Sequence, residues 1–214
     1  MTHSGGFRAA IAGSVLAAAG ARRELLQSIA DAARGIFLAQ AASIAVLDEA
    51  AHDFVFEAVA GEGDTALLGK RFPAGEGIAG AVAERGEAVA INDLSQDPRF
   101  ARDIAAETGY VPNAMMVSPL LREERTLGVL SVLDRGATGR STLQELELLS
   151  AFAAQAAIAV DLSEAARRAS VLLEQDAGAD ETALARLVDA LDGLEGRRRD
   201  AATRLMASLT DLLA

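Results

Sequence analysis

Two pairs of strand-like runs, each joined by a short polar turn, constrain this chain more than any other feature. In the first pair, Ile44, Val46 and Leu47 lie within Ala42–Glu49. The turn Glu49–Asp53 then leads into Phe54–Ala60, where Phe54, Phe56 and Ala58 alternate with Val55, Glu57 and Val59. In the second pair, Ala114–Leu121 and Thr126–Leu133 flank the polar turn Arg122–Arg125. Strands joined this closely pair antiparallel, because a parallel crossover needs about a dozen residues or more.

Helical periodicity brackets the strands. Leu25, Leu26, Ile29, Ala32, Ala33, Ile36 and Phe37 form one stripe over 22–40. Leu146, Leu149, Ala153, Ala156, Ala157 and Val160 form another on a helix running from Thr142 to about Gln175. Between the hairpins, Gly61–Gly77 reads as a long irregular loop, Ile78–Arg85 as a short helix ended by Gly86, and Ala88–Ile91 as a short strand. Asp97 before Pro98 offers an N-cap and a first-turn proline for a helix reaching about Glu107. Pro119 inside a strand implies a bulge or an edge, and Gly128 a bulge or a close backbone approach. The terminal helices can cover one sheet face and the loop and short-helix segments the other. That arrangement is an α+β sandwich of three layers. Three regions are expected: a helical or flexible lead over 1–21, the domain over 22–170, and a helical extension over 171–214. In the extension, Asp180 can cap a helix over Glu181–Leu213 whose leucines drift near a 3.5-residue period.

Composition excludes several chemistries. The chain has no cysteine, which removes disulfides, thiolate metal sites and cysteine nucleophiles. Its two histidines, His3 and His52, are too far apart to build a His-rich metal site or a Ser–His–Asp triad. The formal charge is −11, and the basic run Arg197-Arg198-Arg199 sits in an acidic helical tail, so no nucleic-acid partner is expected. No apolar run of about 18–20 residues is evident, and Ala9–Ala21 is thin for a leader, so a cytoplasmic chain without a membrane partner is expected. Gly75-Glu76-Gly77-Ile78-Ala79-Gly80 spells G-x-G-x-x-G but does not follow a strand of a βαβ unit, so it is not read as a dinucleotide fingerprint.

Four stretches, in order, resemble the GAF family across about Glu24 to Val160. They are Phe72–Gly80 with Ala81–Glu87, Ile91–Phe100, Val117–Leu120 running through Leu127–Val132, and Leu146–Leu149 with Gln155–Ala159. The resemblance implies a GAF/PAS-like six-stranded antiparallel sheet with the terminal helices on one face. A small-molecule cavity would lie on the other, roofed by the loop at 61–77 and the helix near 98–108. Covalent bilin binding and methionine-sulfoxide reduction in this family need cysteines, which are absent, and haem lacks a placed axial ligand. The cyclic-nucleotide branch carries an Asn-Lys pair, then Phe, then Asp-Glu. The matching positions are Asp134-Arg135, Ser141 and Glu145-Leu146, so Phe is lost and the acidic pair is halved.

Asp93, Phe100, Tyr110 and Asn113 fall on the segments expected to roof the cavity, and Met116 and Ser118 on a strand expected to floor it. Four of them have a structural alternative: Asp93 as a turn cap, Phe100 and Met116 as core, Tyr110 as surface. The expected function is non-catalytic: a sensory module that binds a small molecule and signals through its terminal helices as a homodimer. A partner signalling protein, or the helices' own association, is the expected output, since no kinase, phosphodiesterase, cyclase or DNA-binding motif follows position 170. The alternative is an interaction or dimerisation module whose pocket is filled by side chains.

Overall fold

A computed structural model describes residues 3–62, 67–100, 102, 105 and 110–176. Its elements are α1 (His3–Ile36), β1 (Ala41–Asp48), β2 (Asp53–Gly61), β3 (Arg71–Pro73), α2 (Gly77–Arg85), β4 (Val89–Ile91), β5 (Met115–Arg122), β6 (Arg125–Leu133) and α3 (Thr142–Asp176). The chain divides into two compact units. One is Ala19–Glu164; the other joins Met1–Ala18 with Ala165–Ala214. In the second unit the described parts, 3–18 and 165–176, are helical. The expected helix over 181–213 lies outside the described residues.

Within Ala19–Glu164 the strands form one sheet in the order β3-β2-β1-β6-β5-β4, and every pair is antiparallel. Both expected hairpins are present, with β1 and β6 at the centre. β3 is the strand that the residue pattern missed. It is three residues long, ends in Pro73, and sits inside a stretch read as loop; it pairs through Phe54↔Phe72. Pro119 lies beyond the part of β5 that pairs with β4, and the β5–β6 register shifts between Pro119 and Leu121. At Gly128, opposite Val46, a Cβ would stand 2.3 Å from the Ala45 carbonyl oxygen, so the backbones can approach only because the side chain is absent.

One face of the sheet packs on the long helices. Leu26, Ala30, Ala33 and Phe37 from the α1 region, and Leu149, Ala153, Ala156, Ala157 and Val160 from α3, are fully buried among Ile44, Ala58, Met116, Leu120 and Leu130. Each large side chain so buried contributes about 1.5–3 kcal/mol before ordering entropy is subtracted. Alanine's small size lets the helices lie close to the strands. The segment Thr142–Val171 meets the length and mean hydropathy of a membrane span, although polar residues interrupt it. A third of that window is buried, and its alanine stripe is the part packed on the sheet.

As a single helix, α1 runs from His3 to Ile36 through Gly13 and Gly20. It stops where Leu38 turns left-handed, with φ of 49°. At the other end, α3 extends to Asp176. The second layer, on the opposite sheet face, centres on Phe54, Ala74, Ile78, Val82, Leu94, Val117 and Val129. There α2 is ended by Gly86, left-handed at φ 68°, whose N–H reaches the Val82 carbonyl at 2.9 Å.

Candidate functional site

On the face away from the long helices lies a cavity of about 140 Å³. Its floor comes from alternate residues of three strands: Ser43 and Ala45 of β1, Val129 and Ser131 of β6, and Met115 of β5. Its walls include Phe56, Phe72 and Ile78, and Phe100, Ala105, Tyr110 and Pro112 cover it. Phe72 stacks between Phe54 and Phe56 at centroid distances of 5.2 and 5.1 Å, which stiffens the wall under β3. The interior is almost wholly apolar. Its polar points are Ser43 and Ser131, directly opposite each other on neighbouring strands, the Tyr110 hydroxyl, and the carboxylates Glu62 and Glu76. An apolar hollow of about 150 Å³ holds one benzene-sized ring. Among the described residues, no side chain fills this pocket.

A register irregularity decides which β2 residues face the hollow. Between Ile44 and Ala45 the pairing jumps from Ala58 to Phe56, leaving Glu57 as the extra residue. Simple alternation puts Ala58 with Phe54 and Phe56. After the bulge Ala58 is buried with the helices, and Val59 lines the cavity. Glu57 instead pairs with Arg22 of α1, which also donates to Ser163 of α3 at 3.1 Å. Burial raises the Glu57 carboxyl above its ordinary value, and Arg22 opposes that shift.

The segment before β5 is held by one residue. Asp134, at the end of β6, accepts backbone N–H bonds from Asn113 at 2.9 Å and Ala114 at 2.8 Å, and its other oxygen accepts from the Tyr110 hydroxyl. Asp134 is itself left-handed, with φ of 47°. Burial pushes the Tyr110 hydroxyl well above its ordinary value, and the bond to Asp134 and that carboxylate's charge add to the shift. Tyr110 is therefore a neutral donor to Asp134, fixed over the cavity.

The six residues expected at the site divide. Phe100 and Tyr110 line the cavity. Asp93 does not: it caps the short turn Leu94–Gln96, accepting from the Ser95 N–H at 3.0 Å and the Ser95 hydroxyl at 2.6 Å. Asn113 is exposed and serves through its backbone, with its carbonyl accepting from Leu94 at 2.8 Å. Met116 and Ser118 stand on the wrong face for the expectation. Met116 is fully buried with the helices, and the Ser118 hydroxyl lies 3.1 Å from that of Ser150 on α3. Their neighbours Met115 and Val117 take the cavity side. Ser43, Glu62 and Glu76 were not anticipated. Only the opposed serines left a trace in the sequence, as small polar residues in otherwise apolar strands.

Of the expected roof helix near 98–108, Pro98, Arg99, Phe100, Arg102 and Ala105 are described, the last two helical. Asp97 accepts from the Arg99 N–H at 2.9 Å, and its carboxyl is lowered chiefly by the Arg99 guanidinium. The altered cyclic-nucleotide positions have a structural role. Arg135 donates to Glu145 at 2.7 Å with side chains 15% and 5% exposed, Thr138 donates to the same carboxylate at 2.6 Å, and Arg135 reaches Asn92 at 3.1 Å. These bonds join the end of β6 to the start of α3, outside the cavity. Among the described residues no three His, Asp or Glu side chains converge on a metal position.

The profile of the GAF domain matches residues 21–160. The chain belongs to the GAF domain family. A Caenorhabditis elegans protein described as a probable 3',5'-cyclic phosphodiesterase is 31% identical over 90 residues, covering 42% of this chain and 12% of that protein. The chain thus spans a small part of that relative. The GAF domain of a phosphoenolpyruvate-protein phosphotransferase from Coxiella burnetii superposes with a TM-score of 0.61 at 20% identity, over 74% of this chain and 95% of that one. Free methionine-R-sulfoxide reductase from Neisseria meningitidis, solved with its substrate, superposes with a TM-score of 0.53 at 20% identity, over 66% and 78% of the two chains. At these identities the solved structures show the shared fold. GAF domains are in general regulatory modules, and some structures of this fold are enzymes.

Proposed function

We propose that this GAF domain is a non-catalytic cytoplasmic sensor that binds one small, largely apolar molecule in the cavity between the sheet and the cover of Phe100, Ala105, Tyr110 and Pro112. The observation that carries the reading is a hollow of about 140 Å³ floored by the two central strands and lined by Phe56, Phe72 and Met115. That volume suits a single ring or a branched chain rather than haem or a bilin. The cysteine-free sequence leaves no residue to repeat thiol-based sulfoxide reduction.

Signal passes to the terminal helices, which associate as a homodimer and engage a partner signalling protein. Leu25, Ile36, Ile158 and Leu162 support this, being 39–65% exposed on α1 and α3. The ligand must bind two states of the protein unequally to carry a signal. The test is native mass spectrometry of the freshly purified chain. A retained molecule of up to a few hundred daltons is expected, and it should be lost in S131L, which pushes a leucine into the hollow. Equal retention by the native chain and S131L would place the ligand elsewhere.

A further inference from the structure

We propose that the cavity takes a compound with one ring-sized apolar body and a cationic amine, the amine lying at the mouth between Glu62 and Glu76. This rests on the ligand-binding reading above and names the class of ligand. The mouth is acceptor-rich and cation-poor. Glu62 and Glu76 both line the cavity and both are exposed, while among the described residues none that lines it is Lys, Arg or His. Arg34 approaches the Glu62 side, beside Gly61, but its guanidinium donates to the Gln40 carbonyl at 3.2 Å and it is not among the lining residues.

The polar groups inside favour the same sign. The Tyr110 hydrogen is committed to Asp134, so the hydroxyl does not donate to a ligand. The negative charge of Glu62 is close enough to help hold that hydroxyl protonated. One feature opposes: the N-terminal residues of α2, Gly77 to Ala79, also line the cavity. A helix start presents about half a positive charge, against two full negative charges at the mouth. The balance is negative, and an anionic group entering there meets repulsion that no lining cation offsets.

The experiment uses the full chain and three probes with the same ring: 2-phenylethylamine, 2-phenylethanol and phenylacetate. Affinities are read by titration calorimetry at low and high salt. The amine should bind about three- to thirtyfold tighter than the alcohol at low salt, as two partly solvated ion pairs allow. Phenylacetate should bind weakest, and added salt should narrow the spread. The exposed double substitution E62Q/E76Q should bring the amine down to the affinity of the alcohol. Alcohol binding without any preference for the amine, or tighter binding of phenylacetate, overturns this inference and leaves the cavity reading standing. No binding of any probe overturns both.

Discussion

Removing the Asp134 side chain should loosen the cover of the cavity and destabilise the domain by an amount that depends on the replacement. Its carboxylate accepts from the Asn113 and Ala114 amides at 2.9 and 2.8 Å and from the Tyr110 hydroxyl. Bonds to a charged acceptor are worth about 1.5–3 kcal/mol each when dry, but Asn113 is exposed, so about 1 kcal/mol apiece is the fair figure. D134A therefore loses about 3 kcal/mol from the bonds. It loses up to about 1 kcal/mol more because φ is 47°, a conformation aspartate tolerates better than alanine. D134G should recover that backbone share, and D134N, which keeps an acceptor and tolerates the same φ, should lose about 1 kcal/mol. For a chain of this size each kcal/mol moves Tm by about 2–4 °C. The expected order of melting temperature is native, D134N, D134G, D134A, with D134A about 10 °C low. Calorimetric melts of the four proteins check it. If D134G melts below D134A, or D134A falls by less than about 2 °C, the role given to this residue is wrong.

Three further outcomes follow from the geometry. M116A should cost about 2–5 kcal/mol in urea unfolding, whereas M115A should cost less and enlarge the cavity; the reverse order would undo the assignment of the two faces. G128A should cost at least about 3 kcal/mol, because its methyl would press on the Ala45 carbonyl at 2.3 Å, and native-like stability would show that the central strands can separate. The Asp97 carboxyl is lowered by Arg99, so its stabilisation is present above the ordinary value near 3.8 and fades as pH falls through its lower native value. D97N should accordingly lose less Tm than the native chain on acidification from pH 5 to about 2, and parallel losses would reject the pairing.

The hairpins, the two long helices and the three-layer order were legible because each rests on a local pattern that packing reinforces. Face assignment was less legible. Both sides of β5 are buried, so Met115 and Val117 read much like Met116 and Ser118, and no polar alternation fixes which pair meets the helices. The β1–β2 irregularity reverses parity between Phe56 and Val59 without a Gly or Pro to mark it. β3 escaped notice because three residues ending in proline carry no periodicity. Asp93 and Asn113 were placed near the cavity from their position in the chain, but turn capping and backbone pinning claim them first. The glutamates at the mouth are brought there by the tertiary fold from β2's end and the start of α2, a juxtaposition no local window contains.

The hollow on one side of the sheet is tested most directly by methyl NMR while toluene is titrated into the full chain. Saturable shifts are expected at Met115 and Val129, which face the hollow, with Met116 and Leu130 behind them nearly still. Shifts confined to Met116 and Leu130, or no saturable response at any of the four, would contradict it.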